Sequence, residues 1–185
     1  MNGSNLFILS GPSCSGKNTV FNLVQEMMSV KRVVTCTTRA PRKGEREAVD
    51  YYFKKEQEFL AMSKRGDFAE ENIYDNCYYG TPKSEILNAD QTIPLFLIID
   101  TRGCEQILRQ FPDATTIFIK VPIEELIRRF KIRSANTEVE ISRRISEAKV
   151  ELEKGKKYDF ILENEEPNEC ARAICVIVSE TMKKG

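Results

Sequence analysis

The order of hydrophobic and polar positions predicts several strands along the chain. Residues 6–10, 94–100 and 115–121 are continuous apolar runs of strand length. Runs of this kind are typical of parallel strands that are buried on both faces of a sheet. Residues 32–38 are rich in β-branched side chains and are predicted to be extended. Residues 159–162 are predicted to form a further strand.

Amphipathic and charged segments between these strands predict helices. Apolar residues recur at helical spacing in residues 17–29 and again in residues 168–182, where we expect a helix packed on the sheet. Residues 124–133 and 138–154 are strongly charged and are also predicted to be helical. The alternation of strands and helices predicts an α/β fold with a mostly parallel sheet flanked by helices.

Two polar stretches break this alternation and predict lobes inserted into the core. Residues 35–82 contain many tyrosines, phenylalanines and charged side chains, and residues 124–154 are dominated by Arg, Lys and Glu. We therefore predict one domain, whose core comprises residues 1–34, 83–123 and 155–185. A length of 185 residues suits one domain with a well-buried core.

Charge and composition narrow the chemistry that such a domain can perform. The chain has 28 basic and 28 acidic residues, so its formal net charge is zero, and it has no histidine. Zero net charge argues against general binding of nucleic acids or membranes. The absence of histidine excludes Ser-His-Asp and Cys-His nucleophiles and zinc sites with histidine ligands.

The cysteines and the N-terminal residues favour a cytoplasmic protein. No two of the six cysteines have C-x-x-C spacing, so we expect reduced, mostly buried thiols rather than a metal ribbon or a disulfide framework. The N-terminus does not have the pattern of a signal peptide, and no apolar run is long enough to span a bilayer.

A glycine-rich loop lies between the first predicted strand and the helix that follows it. The loop has the pattern G-x-x-x-x-G-K, in which backbone N–H groups and the helix N-terminus face phosphate oxygens. Lys17 is expected to reach the β- and γ-phosphates of a nucleotide. The alternative, a simple glycine turn, leaves the combination of strand, loop, lysine and helix unexplained. The predicted nucleotide-binding residues are Gly11, Pro12, Ser13, Cys14, Ser15, Gly16, Lys17, Asn18 and Thr19.

One position of the loop departs from the usual pattern. Asn18 stands where Ser or Thr normally contacts Mg²⁺, and the hydroxyl group comes one residue later, at Thr19. We expect Mg²⁺ to accompany the nucleotide and to be held largely by phosphates and water. Asn18 and Asp100, which ends a predicted strand, are the candidate protein ligands.

Four further motifs follow the loop. They are T-T-R-x-P-R-x-G-E at residues 37–45, D-Y-x-F at 50–53, F-x-E at 68–70 and Y-Y-G-T at 78–81. Each is weak alone, but with the phosphate loop their order and spacing resemble the guanylate kinase family over nearly the whole chain. The resemblance implies a P-loop NTPase core, a GMP-binding lobe at residues 35–82 and a helical lid at residues 124–154. It also implies transfer of the γ-phosphoryl group of ATP to GMP or dGMP, with Mg²⁺ as cofactor.

The residue types in these motifs suit a nucleoside monophosphate. Arginine forms bidentate pairs with phosphate, and a carboxylate accepts hydrogen bonds from both N1–H and the exocyclic amino group of guanine. Adenine presents no such pair of donors, so a buried Glu70 would discriminate between the bases. Taken singly, the arginines would form a solvated surface and the tyrosines a small core. The resemblance implies a GMP site of Thr35, Arg39, Arg42, Glu45, Tyr51, Glu70, Tyr79, Thr81 and Asp100.

The resemblance also implies lid arginines that close over the ATP phosphates, and Arg133 and Arg144 match their positions. Asn164, after the last predicted strand, matches a residue near the ATP base. The implied catalytic residues are Lys17, Arg39, Arg133 and Arg144. The remaining lid arginines are interpreted as members of i,i+4 pairs on exposed helices, and they are Arg128, Arg129 and Arg143.

Three positions depart from the family pattern. Ile98 stands where a second acid is usual, Arg102 where Gln is common, and Ser134 where a glycine often follows the first lid arginine. Ile98 leaves Asp100 as the sole acid of its strand, and Arg102 receives no role from the sequence.

Two other functions are compatible with parts of this pattern. Non-catalytic guanylate-kinase-like modules bind peptides in scaffold proteins, but they generally lack an intact phosphate loop, whereas this chain has Lys17. A related kinase acting on a phosphorylated sugar would lack the residues that read guanine. A kinase assay discriminates among these functions. The sequence carries no signal for the oligomeric state.

Overall fold

The computed structural model describes residues 5–133 and 138–184. Within these residues the strands are β1 (Leu6–Ser10), β2 (Lys31–Arg32), β3 (Thr35–Thr37), β4 (Tyr51–Phe53), β5 (Phe68–Tyr74), β6 (Cys77–Pro82), β7 (Leu95–Ile98), β8 (Thr115–Lys120) and β9 (Phe160–Glu163). The helices are α1 (Lys17–Met27), α2 (Glu56–Arg65), α3 (Lys83–Leu87), α4 (Thr101–Gln110), α5 (Ile123–Arg133), α6 (Glu138–Gly155) and α7 (Pro167–Lys184).

Five strands form the central sheet, in the order β2-β7-β1-β8-β9. Every neighbouring pair in this sheet is parallel. The predicted α/β fold with a mostly parallel sheet is therefore confirmed. Parallel order also brings the carboxyl ends of the strands to one edge, which is where ligands bind in open α/β sheets.

Helices cover both faces of the central sheet. Alternate residues of β1 point to opposite faces, and Phe7 packs with Phe21 of α1 and Ile174 of α7 on one side. On the other side, Ile8 packs with Ile107 of α4. Because both faces are covered by apolar side chains, the central strands carry continuous apolar sequences rather than alternating ones.

A second sheet lies within residues 35–82, in the order β4-β3-β6-β5. Phe59 of α2 and Phe68 of β5 stack at 4.4 Å between ring centroids and form its small core with Cys36. The residues predicted to be extended, 32–38, contribute to two strands, of which β2 belongs to the central sheet and β3 to the second. The chain changes sheets after Val33, which is 1% exposed and donates its N–H to Phe96.

The two charged helices, α5 and α6, pack on each other around a small apolar cluster. The cluster contains Val121, Leu126 and Phe130 with Ala148 of α6. Their helical structure agrees with the sequence prediction. No helix in the described part of the chain has the length and apolar character needed to cross a membrane.

The strand predicted at residues 94–100 is shorter, because β7 ends at Ile98. Asp100 instead caps α4, with its carboxylate accepting a hydrogen bond from the N–H of Gly103. Helix α4 was not predicted from the sequence. It buries only a narrow stripe that includes Cys104 and Ile107.

Candidate active site

The phosphate loop joins the end of β1 to the start of α1 at the carboxyl edge of the central sheet. Its backbone has positive φ at Gly11 (147°), Cys14 (64°) and Gly16 (92°). A side chain at Gly11 would meet the carbonyl oxygen of Ile119, and one at Gly16 would meet Asn164. Glycine is therefore required at both positions. The loop ends at the N-terminus of α1, where anions are stabilised.

Lys17 begins α1 and turns back onto the loop. Its Nζ donates hydrogen bonds to the carbonyl oxygens of Gly11 (2.6 Å) and Pro12 (2.9 Å). These bonds hold the ammonium group against the loop. Asn18 and Thr19 follow in the first turn of the helix, and both side chains are exposed.

Two side chains from other elements contact the backbone of the loop. Asn164, which follows β9 and is buried, donates from Nδ2 to the carbonyl oxygen of Ser15 at 2.7 Å. Arg129 of α5 pairs with Glu125 at 2.8 Å and also donates from Nη1 to the carbonyl oxygen of Cys14 at 3.1 Å. The helix pair predicted for Arg129 is therefore present, and the same side chain also reaches the loop.

Five of the predicted GMP-site residues meet in the lobe that contains the second sheet, residues 35–82. We call this lobe the second lobe. Arg39 donates two hydrogen bonds to the carboxylate of Glu45, at 2.8 and 2.9 Å. Glu45 also accepts the backbone N–H of Arg42 at 2.7 Å. The Arg39 guanidinium lies 5.3 Å from the ring centroid of Tyr51, whose ring meets that of Tyr79 edge-on at 6.3 Å. We refer to these five residues as the Arg39 cluster.

Within the Arg39 cluster, Arg39 and Glu45 each stabilise the charged form of the other. Hydrogen bonding to Glu45 raises the pKa of Arg39 above its ordinary value, and the same bonds lower the pKa of Glu45. The Nε of Arg39 is buried and has no hydrogen-bond partner among the described residues. A buried donor without a partner is costly. This atom therefore fits an incoming anion such as a phosphate.

Glu70 and Thr81 form a buried polar pair between β5 and β6. The Thr81 hydroxyl donates to Glu70 Oε1 at 2.7 Å, and the residues are 5% and 0% exposed. Burial raises the pKa of Glu70 to about 7, and the charges of Asp100 and Glu71 add to this effect while Thr81 opposes it. Thr35, in β3 of the same sheet, is also buried.

Asp100 connects the central sheet with the second lobe. Its Oδ1 accepts the N–H of Gly103 at 2.7 Å, and its Oδ2 accepts from Nδ2 of Asn72 at 3.0 Å. Both carboxylate oxygens are therefore engaged within the protein. Asn72 was not identified from the sequence, because nothing in its local pattern distinguishes it from a surface asparagine.

The residues present fit a magnesium ion held mainly by its nucleotide. The described part of the chain has no group of three or more Cys, Asp or Glu side chains that could hold a metal ion. Since both oxygens of Asp100 already accept hydrogen bonds, the exposed Asn18 beside Lys17 is the better placed of the two candidate ligands.

Arg144, which is predicted to be a lid arginine, belongs to α6. Its Nε donates to Glu140 at 2.8 Å, and its side chain is 17% exposed. Arg143 pairs with Glu140 and Glu147, at 2.7 and 2.6 Å. The interpretation of Arg143 as a helix pair is therefore confirmed, although the residue makes a further contact with the second lobe.

Three further residues of the predicted lid segment are Arg128, Arg133 and Ser134. Arg128 pairs with Glu125 at 2.6 Å and is largely exposed, as expected of a surface pair. Arg133 ends α5, but its side chain lies outside the described residues, as does Ser134.

Glu151 of α6 is a further charged residue that the sequence analysis missed. Burial raises its pKa to about 7, and the charge of Lys17 opposes this effect while that of Asp100 adds to it. The charges of Glu151 and Lys17 are therefore close enough to interact. It lies seven residues after Arg144, which places both side chains on one face of the helix.

Known proteins match this chain over nearly its full length. The guanylate kinase family model matches residues 3–181. The guanylate kinase of Fusobacterium nucleatum is 37% identical over 183 residues, which cover 96% of this chain and 97% of that protein. The guanylate kinase of Clostridioides difficile is 38% identical, covering 97% of this chain and 89% of that protein.

A solved structure gives the same result. The guanylate kinase from Anaplasma phagocytophilum superposes with a TM-score of 0.77 and 30% identity, covering 98% of this chain and 88% of that one. Since the sequence matches span almost the whole chain and the fold agrees, this chain belongs to the guanylate kinase family.

Proposed function

We propose that this protein transfers the γ-phosphoryl group of ATP to GMP, giving ADP and GDP. The observation that carries this proposal is the buried Glu70–Thr81 pair, which lies in the same small sheet as Tyr51 and Tyr79 of the Arg39 cluster. One lobe thus contains a carboxylate suited to guanine and a cationic cluster suited to phosphate, and a guanosine monophosphate carries both groups. The phosphate loop on the central sheet supplies the second nucleotide site.

Glu70 reads the guanine base. When ionised, its carboxylate accepts hydrogen bonds from N1–H and from the exocyclic amino group, while Thr81 keeps the carboxylate in place. Adenine would leave this buried carboxylate without donors, which is costly. Thr35 and Asp100 are assigned to the border of the same base.

The Arg39 cluster binds the phosphate of GMP. Arg39 offers its unpartnered Nε–H, and Glu45 fixes the orientation of its guanidinium through two hydrogen bonds. Arg42, Tyr51 and Tyr79 complete the site with a second positive charge and two hydroxyl groups. Because Arg39 is preoriented, little side-chain entropy is lost on binding.

ATP binds over the phosphate loop. Backbone N–H groups of the loop from Ser13 to Thr19 and the ammonium group of Lys17 receive its phosphates. Arg144 approaches from the lid, and Asn164 lies toward the base. Arg133, whose side chain lies outside the described residues, is assigned to the same phosphates by the resemblance alone. Mg²⁺ bound with ATP supplies positive charge on the β- and γ-phosphates.

The transfer needs alignment and positive charge rather than a general base. The attacking group is a phosphate oxygen of GMP, which is already ionised near neutral pH. Lys17, Arg39 and Arg144 stabilise the charge that develops on the transferred group. Closure of residues 35–82 and 124–154 over the core excludes water, which would otherwise hydrolyse ATP.

This function implies how the chain divides into lobes, which molecules it binds and in which compartment it acts. Residues 1–34, 83–123 and 155–185 form the core, residues 35–82 the GMP-binding lobe and residues 124–154 the lid. The partners are ATP and GMP, without nucleic acid or membrane. All six cysteines are free thiols, which suits a protein of the cytoplasm.

Replacing Lys17 tests the proposal. We expect Lys17→Ala to lower turnover at least ~100-fold, because a charge that contacts the transferred group is lost. Binding of GMP, measured by titration calorimetry without ATP, should remain, since Lys17 lies outside the second lobe. Lys64→Ala, an exposed lysine at the end of α2, is the matched control and should retain full turnover. Undiminished turnover in Lys17→Ala would contradict the proposal.

A further inference from the structure

Three residues on one face of β5 contact three different parts of the molecule. Glu70, Asn72 and Tyr74 alternate with the exposed Glu71 and Ile73, so their side chains share the inner face of the strand. Glu70 bonds Thr81 inside the second lobe, and Asn72 bonds Asp100 at the end of the central sheet. The third residue, Tyr74, reaches the lid.

Tyr74 meets the lid through Arg143. The guanidinium carbon of Arg143 lies over the Tyr74 ring, 5.7 Å from its centroid. This distance is within the range of an attractive cation–π contact. Burial raises the pKa of Tyr74, and the largest opposing effect comes from the charge of Arg144. Both arginines of α6 are therefore close to this ring.

Glu140 joins the two arginines to each other. Its Oε1 accepts from Nη2 of Arg143 at 2.7 Å and from Nε of Arg144 at 2.8 Å. The two arginines lower the pKa of Glu140 to about 2, so the carboxylate stays ionised across the physiological range. Tyr74, Arg143, Glu140 and Arg144 thus form a continuous chain of contacts from β5 to the inner side of α6.

We propose that Tyr74 is a positioning residue that sets the orientation of Arg144 through Arg143 and Glu140. The inference rests on the proposed function, in which Arg144 contacts the transferred phosphoryl group. Pairing with Glu140 alone would leave Arg144 free to move with α6. The Tyr74 contact fixes α6 against the strand that carries Glu70, so the guanine site and the lid arginine share one rigid element.

This arrangement links the base to the lid. The contacts of Asn72 with Asp100 and of Tyr74 with Arg143 lie two and four residues from Glu70 along the same strand. A shift of β5 when guanine meets Glu70 would therefore be carried directly to α6. The lid would reach its phosphate-contacting position only when the second lobe is in place.

Two variants of Tyr74 distinguish the positioning role from a purely structural role. Tyr74→Leu keeps an apolar side chain but removes the aromatic ring, whereas Tyr74→Phe keeps the ring. We expect Tyr74→Leu to lower kcat about fivefold or more, the size of one cation–π contact. The Kd of GMP without ATP should stay within about twofold of the original value. Tyr74→Phe should retain at least about half of the original kcat.

A double-mutant cycle tests the route through Arg143. If Tyr74 acts through Arg143, then Tyr74→Leu combined with Arg143→Gln should lower kcat no further than the stronger single variant. Multiplicative losses in the double variant would overturn the proposal. So would an unchanged kcat in Tyr74→Leu, or an equal loss in Tyr74→Phe.

Arg144→Gln separates failure of this inference from failure of the proposed function. A large loss of kcat in Arg144→Gln with none in Tyr74→Leu would refute only the positioning role. No loss in Arg144→Gln would instead remove Arg144 from the proposed mechanism.

Discussion

At the scale of a single residue, Glu70 is the proposed determinant of base specificity. It is buried with one hydroxyl partner, and its pKa is raised to about 7 by burial. An ionised carboxylate in this position lacks enough donors in the protein alone. In the proposed complex, the guanine base would supply two such donors, so binding would favour the ionised form. The ionised carboxylate of Glu70 therefore destabilises the folded protein alone, and it would be stabilised in the proposed complex.

The raised pKa of Glu70 makes a prediction about stability. Because its pKa rises from 4.5 to about 7 on folding, the folded state binds a proton more tightly than the unfolded state. The free energy of unfolding therefore falls as the pH rises from about 4.5 to 7. Glu70→Gln removes this effect, so urea unfolding at pH 8 should show a gain of ~1–3 kcal/mol.

The gain from Glu70→Gln should shrink below ~1 kcal/mol at pH 5, where most of the buried carboxyl is protonated. Glu71→Gln, an exposed neighbour on the same strand, is the matched control and should show no such pH dependence. A pH-independent effect of Glu70→Gln would contradict the buried, ionised carboxylate.

Some residues near the phosphate loop could be predicted from the sequence, and others could not. Lys17 and Arg39 could be recognised because the family motifs fix their spacing. Arg129 and Glu151 could not, since each lies on a highly charged helix whose surface pairs look alike in sequence. Only the packing of α5 and α6 decides which of their charges face the phosphate loop.

At the scale of elements, helix α6 is anchored to the central sheet by a close approach at its last residue. A Cβ atom at Gly155 would lie 2.5–2.6 Å from ring atoms of Phe118. Phe118 is 1% exposed and packs edge-on against Tyr158 at 5.2 Å. Its ring has no room to move aside. The position of α6, the longer helix of the proposed lid, therefore depends on a glycine at its end.

We expect Gly155→Ala to lower the free energy of unfolding by ~1–3 kcal/mol, because the added methyl group overpacks the contact between α6 and β8. Chemical denaturation measures this change. Glu153→Ala, an exposed site on the same helix, should change stability by less than ~0.5 kcal/mol. Equal stabilities of the two variants would show that α6 does not approach β8 this closely.

The predictability of each element followed its burial. The buried strands β1, β7 and β8 were evident, because parallel strands covered on both faces need continuous apolar sequences. Helix α4 was missed, since half of it is exposed and it begins at a capping residue that reads as the end of a strand. The boundary between β2 and β3 was missed because Val33 and Val34 continue the β-branched pattern across the change of sheet.

At the scale of the whole molecule, a net charge of zero conceals separated charges. Lys17, Arg39 and Arg144 belong to three different parts of the chain, and each is a cation at a proposed phosphate site. Glu70 is the negative charge proposed to contact the base. In this proposal, neutrality reflects a balance between sites for phosphate and a site for guanine. The absence of histidine is consistent with a transfer that needs no general base.

The central claim is that this protein phosphorylates GMP with ATP and selects the base through Glu70. The most direct test measures ADP release with ATP and each of GMP, dGMP, AMP, UMP and CMP in turn. We predict that kcat/KM for GMP exceeds that for AMP at least ~100-fold, and that Glu70→Gln reduces this ratio. Equal rates with AMP and GMP, or ADP release that does not depend on any monophosphate, would contradict the account.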